Sequence, residues 1–354
     1  MSNESIKGRG TSTNPQNRFE STRYEVFHES VDELDDRKIV TQFLKDTTKS
    51  VLTKNDSPDI GFSYDLNPYR GCEHGCVYCY ARPSHEYLGF SAGLDFETKI
   101  MVKPDVHLLL EKEINKKTWK PQVISFGGNT DCYQPIERKL ELTRKCIEVL
   151  LKYKNPFGII TKNALITRDI DLLAELAKQN LVATTITITT LDKELQRKME
   201  PRTSPPEQRL KAMEELAKAG IPVSVNVAPI IPGLNDSEIP AILKRASEHG
   251  ATRAHWIMLR LPFAVKDLFV EWLKKNYPEK FDKIINRIKD VRDGKMNSTE
   301  WGERMRGTGE LADSISQLFS ISAEKYGLNK QRFHLTTELF EGKSGVKDQM
   351  DLFL

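Results

Sequence analysis

Arg70-Gly71-Cys72-Glu73-His74-Gly75-Cys76-Val77-Tyr78-Cys79-Tyr80 carries three of the five cysteines of this 354-residue chain. The spacing is Cys-x3-Cys-x2-Cys, and the loop follows a run, Ile60 to Tyr69, that reads as a strand. Three thiolates on one short loop can wrap a compact metal centre, and Gly71 and Gly75 allow the backbone to turn tightly around it. Soft thiolates select zinc or iron–sulfur. A structural zinc closes with four ligands, so it needs His74 or a distant cysteine as the fourth. A [4Fe–4S] cube held by three cysteines leaves one iron without a protein ligand, open to a small molecule. Three unrelated core cysteines are the plainest alternative.

Outward from this loop the chain alternates. Apolar, β-branched runs occur at Val123 to Phe126, Gly158 to Thr161, Val182 to Thr189, Val223 to Ile230 and His255 to Leu261. Each precedes a segment with helical spacing. Leu140, Ile147, Leu150 and Leu151 form one apolar face; Ile170, Leu173, Leu176 and Ala177, capped by Thr167, form another. Ser204-Pro205-Pro206-Glu207 reads as a capping box with proline at the first helical position, and Gly220 stops that helix. Asp236 can cap the next. With Ile60 to Tyr69 there are about six strand–helix units, which means parallel strands and right-handed crossovers. Periodicity leaves open whether they form a doubly wound sheet or an incomplete barrel. Either places function at the C-terminal strand ends. Further expected helices are Val31 to Leu44, Lys266 to Lys289 and Glu310 to Tyr326.

Composition narrows the class. Lys+Arg 53 against Asp+Glu 50 gives net charge +3, so any basic surface is local. With 38% hydrophobic and 8% aromatic residues the chain is too apolar to be disordered and too polar for a multi-span membrane protein. Met1 to Phe19 has no apolar core of a signal peptide, and two cysteines, Cys132 and Cys146, are scattered; both point to a reduced cytoplasm and no membrane.

The cysteine loop, set after the first strand of a strand–helix series, resembles the radical SAM superfamily over about Ser63 to Pro262. The resemblance implies a partial (β/α)6 barrel at 56–265, with an N-terminal extension at 1–55, a C-terminal helical region at 266–340 and a flexible tail at 341–354. It implies that Cys72, Cys76 and Cys79 hold a [4Fe–4S] cluster whose free iron chelates S-adenosylmethionine (SAM). A reductant such as flavodoxin or ferredoxin then drives cleavage to methionine and a 5′-deoxyadenosyl radical. Gly127, Gly128 and Asn129 stand where relatives have Gly-Gly-Glu near the methionine amino group; the third position departs. Lys162 and Thr187 stand where relatives contact the SAM carboxylate and ribose, and Pro232 and Gly233 resemble the adenine cradle. Tyr80 shields the cluster or is an ordinary core aromatic.

Glu200-Pro201-Arg202-Thr203-Ser204-Pro205, Ala219-Gly220-Ile221-Pro222, Val227-Ala228-Pro229-Ile230 and Thr130-Asp131 resemble the spore photoproduct lyase group, which is related to DNA-repair photolyases. That group's hydrogen-donor cysteine falls near Gly128 here, so the role does not pass directly to Cys132, which otherwise reads as an unreactive thiol. DNA is the implied substrate; a protein, a tRNA or a small molecule is the alternative, and a non-catalytic iron–sulfur interaction protein is a third. Lys280 to Arg306 holds eight basic against five acidic residues and ends with Trp301 and Arg304-Met305-Arg306. That suits phosphate contact and base stacking, or a solvated helix face. The terminal Gln349-Met350-Asp351-Leu352-Phe353-Leu354 resembles the peptide that docks DNA-processing proteins on the bacterial sliding clamp, with Gln349, Leu352 and Phe353 as anchors; a tail folded onto the barrel is the alternative.

Overall fold

A computed structural model describes residues 6–20, 39–330 and 334–343. Six parallel strands form the core: β1 (Tyr64–Leu66), β2 (Ile124–Phe126), β3 (Phe157–Thr161), β4 (Val182–Thr187), β5 (Val223–Ile230) and β6 (Arg253–Met258). They lie side by side in chain order, each hydrogen-bonded to the next. A doubly wound sheet reverses direction at a switch point. No reversal occurs here, so every crossover steps the same way and the sheet curls into a partial barrel. Leu52–Lys54 pairs antiparallel with the outer edge of β1, and β6 ends the sheet on the other side.

Strand alternation then sorts the residues. Leu66, Phe126, Ile159, Ile186, Val225 and Trp256 are buried in the main apolar core with the surrounding helices. Each such side chain contributes about 1.5–3 kcal/mol on burial. The opposite face carries Asp65, Ser125, Thr185, Thr187, Ser224, Asn226 and His255, matched strand to strand by the register. A closed eight-stranded barrel fills its interior with branched apolar side chains; this face is mostly polar, with Gly158, Ile160 and Ala183 interspersed among the polar residues.

Helix Leu142–Tyr153 buries Cys146, Ile147 and Leu150. Helix Pro206–Lys218 starts with proline in its first turn and ends before Gly220, whose φ of +76° closes the turn. The capping box is not formed: Pro205 is the N-cap, and Ser204 Oγ instead accepts from Ala164 N and donates to Asn163 Oδ1. Helix Ile170–Ala177 has Asp169, not Thr167, at its N-cap, and Asn163 caps the turn Ala164–Asp169 before it. Asp236 leads a short 3-10 turn before helix Ile239–Glu248. The expected helix Lys266 to Lys289 divides into helices Ala264–Asn276 and Phe281–Asp290.

The expected helix Val31 to Leu44 is corrected where it is described: Gln42–Lys45 is a strand paired in parallel with Lys99–Val102, while 31–38 lie outside the described residues. Pairing to a distant strand overrode a local helical pattern. Tyr69–Arg70 completes this small sheet, so the first expected strand is split between two sheets.

The segment 6–20 packs on the cysteine loop. Gly10 N, Thr11 N and Thr11 Oγ1 all donate to the fully buried Glu97 carboxylate. A Cβ on Gly10 would lie 1.7 Å from the Gly75 carbonyl oxygen, so only glycine passes there. Glu97 also pairs with Arg82 at 2.6 Å, both side chains 0% exposed. Arg82 Nε in turn donates to the Cys76 carbonyl. Glu97→Gln removes the anion facing a buried guanidinium. It is expected to cost about 3–5 kcal/mol, read as a lowered urea-unfolding midpoint.

Candidate functional site

The cysteine loop crosses the C-terminal end of the barrel. Cys72 and Cys76 are buried, Cys79 is half-buried, and all five cysteines are free thiols. Burial pushes the Cys76 thiol well above its ordinary range, with Glu200 adding to it and Lys162 opposing. Burial, then Cys72, raises Cys79, while Arg82 and Lys162 oppose. Cys76 and Cys79 thus both feel the Cys72 sulfur and share one nearby ammonium. Among the described residues, no group of three or more His, Cys, Asp or Glu side chains is placed to hold a single metal ion. Three thiols on one short loop suit a cube, which would take each thiolate on a different iron.

His74 lies within hydrogen-bond reach of Cys72. Its ring nitrogens face Asp131 Oδ2 at 3.3 Å and Asn163 Nδ2 at 3.3 Å. Burial works to lower its pKa, but Asp131 and then Cys72 outweigh this and hold it up at about 10. Asp131, despite burial, is held down at about 2 by His74, the Lys162 amide and Thr161. This pair anchors the loop to the ends of β2 and β3.

Glu200 anchors it from the other side. Tyr78 Oη, Thr189 Oγ1 and Arg209 Nη2 all donate to its fully buried carboxylate. Burial would raise Glu200; Arg209 and then Lys162 hold it at about 2. Val77 N donates to the Met199 carbonyl, Arg202 N to the His74 carbonyl, and Arg202 Nη2 pairs with Glu73 at 3.0 Å. The Glu200-Pro201-Arg202 segment therefore acts on the site by shaping the cysteine loop.

The glycine strand end is fixed in place by β1. Gly128 N donates to Asp65 Oδ1 and Asn129 N donates to Asn67 Oδ1. A Cβ on Gly128 would meet Asp65 Oδ2 at 2.5 Å, and one on Gly127, at φ +97°, would meet the Ile160 carbonyl at 2.5 Å. Burial raises the Asp65 carboxyl to about 6. Tyr80 Oη donates to the Gly128 carbonyl, and the ring is 45% exposed; it stands at the mouth and is not a core aromatic.

Lys162 Nζ stands 5.8 Å from the Tyr78 ring centroid, over the cysteine loop. Thr187 and Asn226 face each other across β4 and β5, and Asn226 Oδ1 is buried with no hydrogen-bond partner. Such an orphaned acceptor in a polar interior calls for a donor from a ligand or water. Pro232 and Gly233 lie in the turn after β5; Asn235 bonds that turn to the Thr189 carbonyl. Ile231 from the same turn packs with Cys76 and Tyr78.

The structure thus brings together the three cysteines, Tyr80, Gly127, Gly128, Asn129, Lys162, Thr187, Pro232 and Gly233 at one end of the barrel. It does not bring Cys132 there. Cys132 is 0% exposed in the main apolar core and burial raises its thiol well above the ordinary range. It fits the unreactive reading and corrects any role as hydrogen donor. Cys146 is likewise core. Gln349, Leu352 and Phe353 lie outside the described residues. Asp65, Asn226 and His255 escaped sequence reading, although alternation within their strands marks them as the non-core face.

Comparison with known proteins agrees with this geometry. Residues 66–246 match the family model of the radical SAM superfamily. An uncharacterized protein of Mycobacterium tuberculosis is 35% identical over 246 residues, 69% of this chain and 71% of its own. An uncharacterized protein of Methanocaldococcus jannaschii is 28% identical over 228 residues, 64% of this chain and 81% of its own. Among solved structures, spore photoproduct lyase complexed with dinucleoside spore photoproduct superposes with a TM-score of 0.58 at 18% identity, covering 81% of this chain and 80% of that one. A variant of that lyase with bound AdoMet, the sulfonium cofactor SAM, matches equally. The fold is that of the lyase, and no helix among the described residues is long and apolar enough to cross a membrane. The superfamily uses a [4Fe–4S] cluster with SAM and needs a reductant, and this chain belongs to it as a radical SAM enzyme.

Proposed function

We propose that Cys72, Cys76 and Cys79 hold the cluster and that the enzyme acts on DNA, in repair or base modification. The observation that carries the first part is the loop itself: three free thiols at Cys-x3-Cys-x2-Cys spacing, gripped from both sides by buried ion pairs. When bound there, the cluster and SAM supply one-electron cleavage of the sulfonium and a 5′-deoxyadenosyl radical. The chain's residues bind and orient. Lys162 offers its ammonium to the SAM carboxylate. The backbone at Gly127, Gly128 and Asn129 receives the amino group, and Asp65 sets beside it the carboxylate that Asn129 lacks. Thr187 and the orphaned Asn226 carbonyl suit the ribose hydroxyls, and the Pro232-Gly233 turn suits adenine.

The DNA reading rests on two things: the sequence segments shared with the spore photoproduct lyase group and the lyase-like fold. A base inside a duplex must leave the stack, at about a few kcal/mol, less at a lesion. The electron donor in this reading is a flavodoxin or ferredoxin, and docking on the sliding clamp through Gln349, Leu352 and Phe353 rests on the sequence pattern alone.

Cys76→Ala is expected to abolish the brown absorbance of the anaerobically reconstituted enzyme and all reductive SAM cleavage; retention of either contradicts the ligand set. Lys162→Met should raise the KM for SAM about 10- to 100-fold, from a lost charge-assisted hydrogen bond of about 1.5–3 kcal/mol, with the cluster absorbance intact. Dithionite-driven 5′-deoxyadenosine formation should rise several-fold with damaged DNA, and deuterium placed on that DNA should pass into the 5′-deoxyadenosine, because the radical takes hydrogen from its substrate. Cleavage indifferent to DNA, with no label transferred, contradicts the substrate assignment.

A further inference from the structure

The partial barrel is open between β6 and the β1 side, and a small set of residues spans that opening. Arg304 Nε pairs with Asp59 Oδ2 at 2.6 Å, and Gly302 N donates to Asp59 Oδ1 at 2.7 Å. Asp59 lies in the turn before β1, whereas Gly302 and Arg304 belong to the segment that follows the last barrel helices. Outside this clasp the Trp301 ring lies 4.0 Å from the Arg304 guanidinium carbon and is 57% exposed. Inside it, Arg260 contacts the Met305 sulfur at 3.8 Å and its guanidinium carbon lies 5.2 Å from the Tyr80 ring centroid. Tyr80 is bonded to Gly128 at the end of β2. Trp301, Arg304, Arg260 and Tyr80 therefore run in a line from the outer surface to the mouth above the cysteine loop.

The charges on this line are unequal. Arg304 is neutralised by Asp59. Arg260 makes no ion pair within 4 Å among the described residues; burial and then Arg304 lower its pKa, while Tyr80 and the more distant Asp59 oppose. A half-buried, unpaired guanidinium between two exposed rings calls for an anion flanked by flat faces. Nucleic acid offers that alternation of phosphate and π-face, and an aromatic platform contributes about 1–3 kcal/mol per stacked base. The other three tryptophans, Trp119, Trp256 and Trp272, are buried, so Trp301 is not part of a general aromatic excess at the surface.

We propose that this rim seats an unpaired stretch of nucleic acid, a base stacked on Trp301 and a phosphate on Arg260, so that the reacting nucleotide passes Tyr80 into the polar interior. The proposal rests on the DNA reading above and gives it a place and a strand state. It is tested by filter binding of a labelled oligothymidylate of about 12 nucleotides, and of its duplex, to the full reconstituted enzyme. The single strand should bind more tightly than the duplex. Trp301→Ala should weaken it about 10-fold, and Trp301→Phe, which keeps a ring, should restore most of that. Arg260→Gln should weaken it and lower the salt slope by about 0.7. Lys211→Gln, on the exposed face of helix Pro206–Lys218, should change nothing. Wild-type binding that both rim variants retain, or tighter duplex binding, overturns the rim while leaving a DNA substrate standing. No binding of either nucleic acid by wild type, or equal competition by polyglutamate, overturns the rim and the DNA reading together.

Discussion

Two fully buried ion pairs, Arg82–Glu97 and Arg209–Glu200, hold the cysteine loop from opposite sides. A loop of thiols has no regular hydrogen bonding of its own, and a cube must find its ligands already spread around it. Burying charge is expensive unless every partner is present. Here both carboxylates are crowded with donors: Glu97 takes Gly10, Thr11 and Arg82, and Glu200 takes Tyr78, Thr189 and Arg209. Both guanidinium groups spend remaining donors on backbone carbonyls, Arg82 on Cys76 and Gly93, Arg209 on Ser204 and Thr187. The loop's shape is thereby tied to these protein contacts.

The same economy explains the rest of the mouth. The Asp131–His74 pair ties the loop to the ends of β2 and β3, and Asp65 ties the glycine strand end to β1. Lys162 is the cation that these anions leave facing the thiols. Polar residues on the inner strand faces and apolar ones on the outer faces give one sheet two tasks: a core toward the helices and a binding chamber within.

Much of this was legible in the sequence because it is local. The five β-branched runs after the cysteine loop each hold a strand, and Val223 to Ile230 matches end to end. The thiol spacing, the glycine strand end and Lys162 stand where the motifs placed them. What sequence reading missed is contact across long separations. Gly10 and Thr11 reach Glu97 over 87 and 86 residues, and Tyr78 reaches Glu200 over 122. No window of periodicity contains such pairs. Ser204 carried a genuine capping signature, but its hydroxyl was drawn to Ala164 and Asn163, and the proline that follows took the cap. Gln42 to Lys45 joined a strand nearly sixty residues away, a partner that local helical spacing cannot reveal.

The central claim is that three thiolates hold a cube with one iron left to SAM. Low-temperature electron paramagnetic resonance of the reduced, reconstituted enzyme, recorded with and without SAM, tests it most directly. A [4Fe–4S]+ signal whose g-values shift when SAM is added is the predicted result. A signal unmoved by SAM, or a protein that takes up one tetrahedral ion and shows no cluster signal, contradicts it.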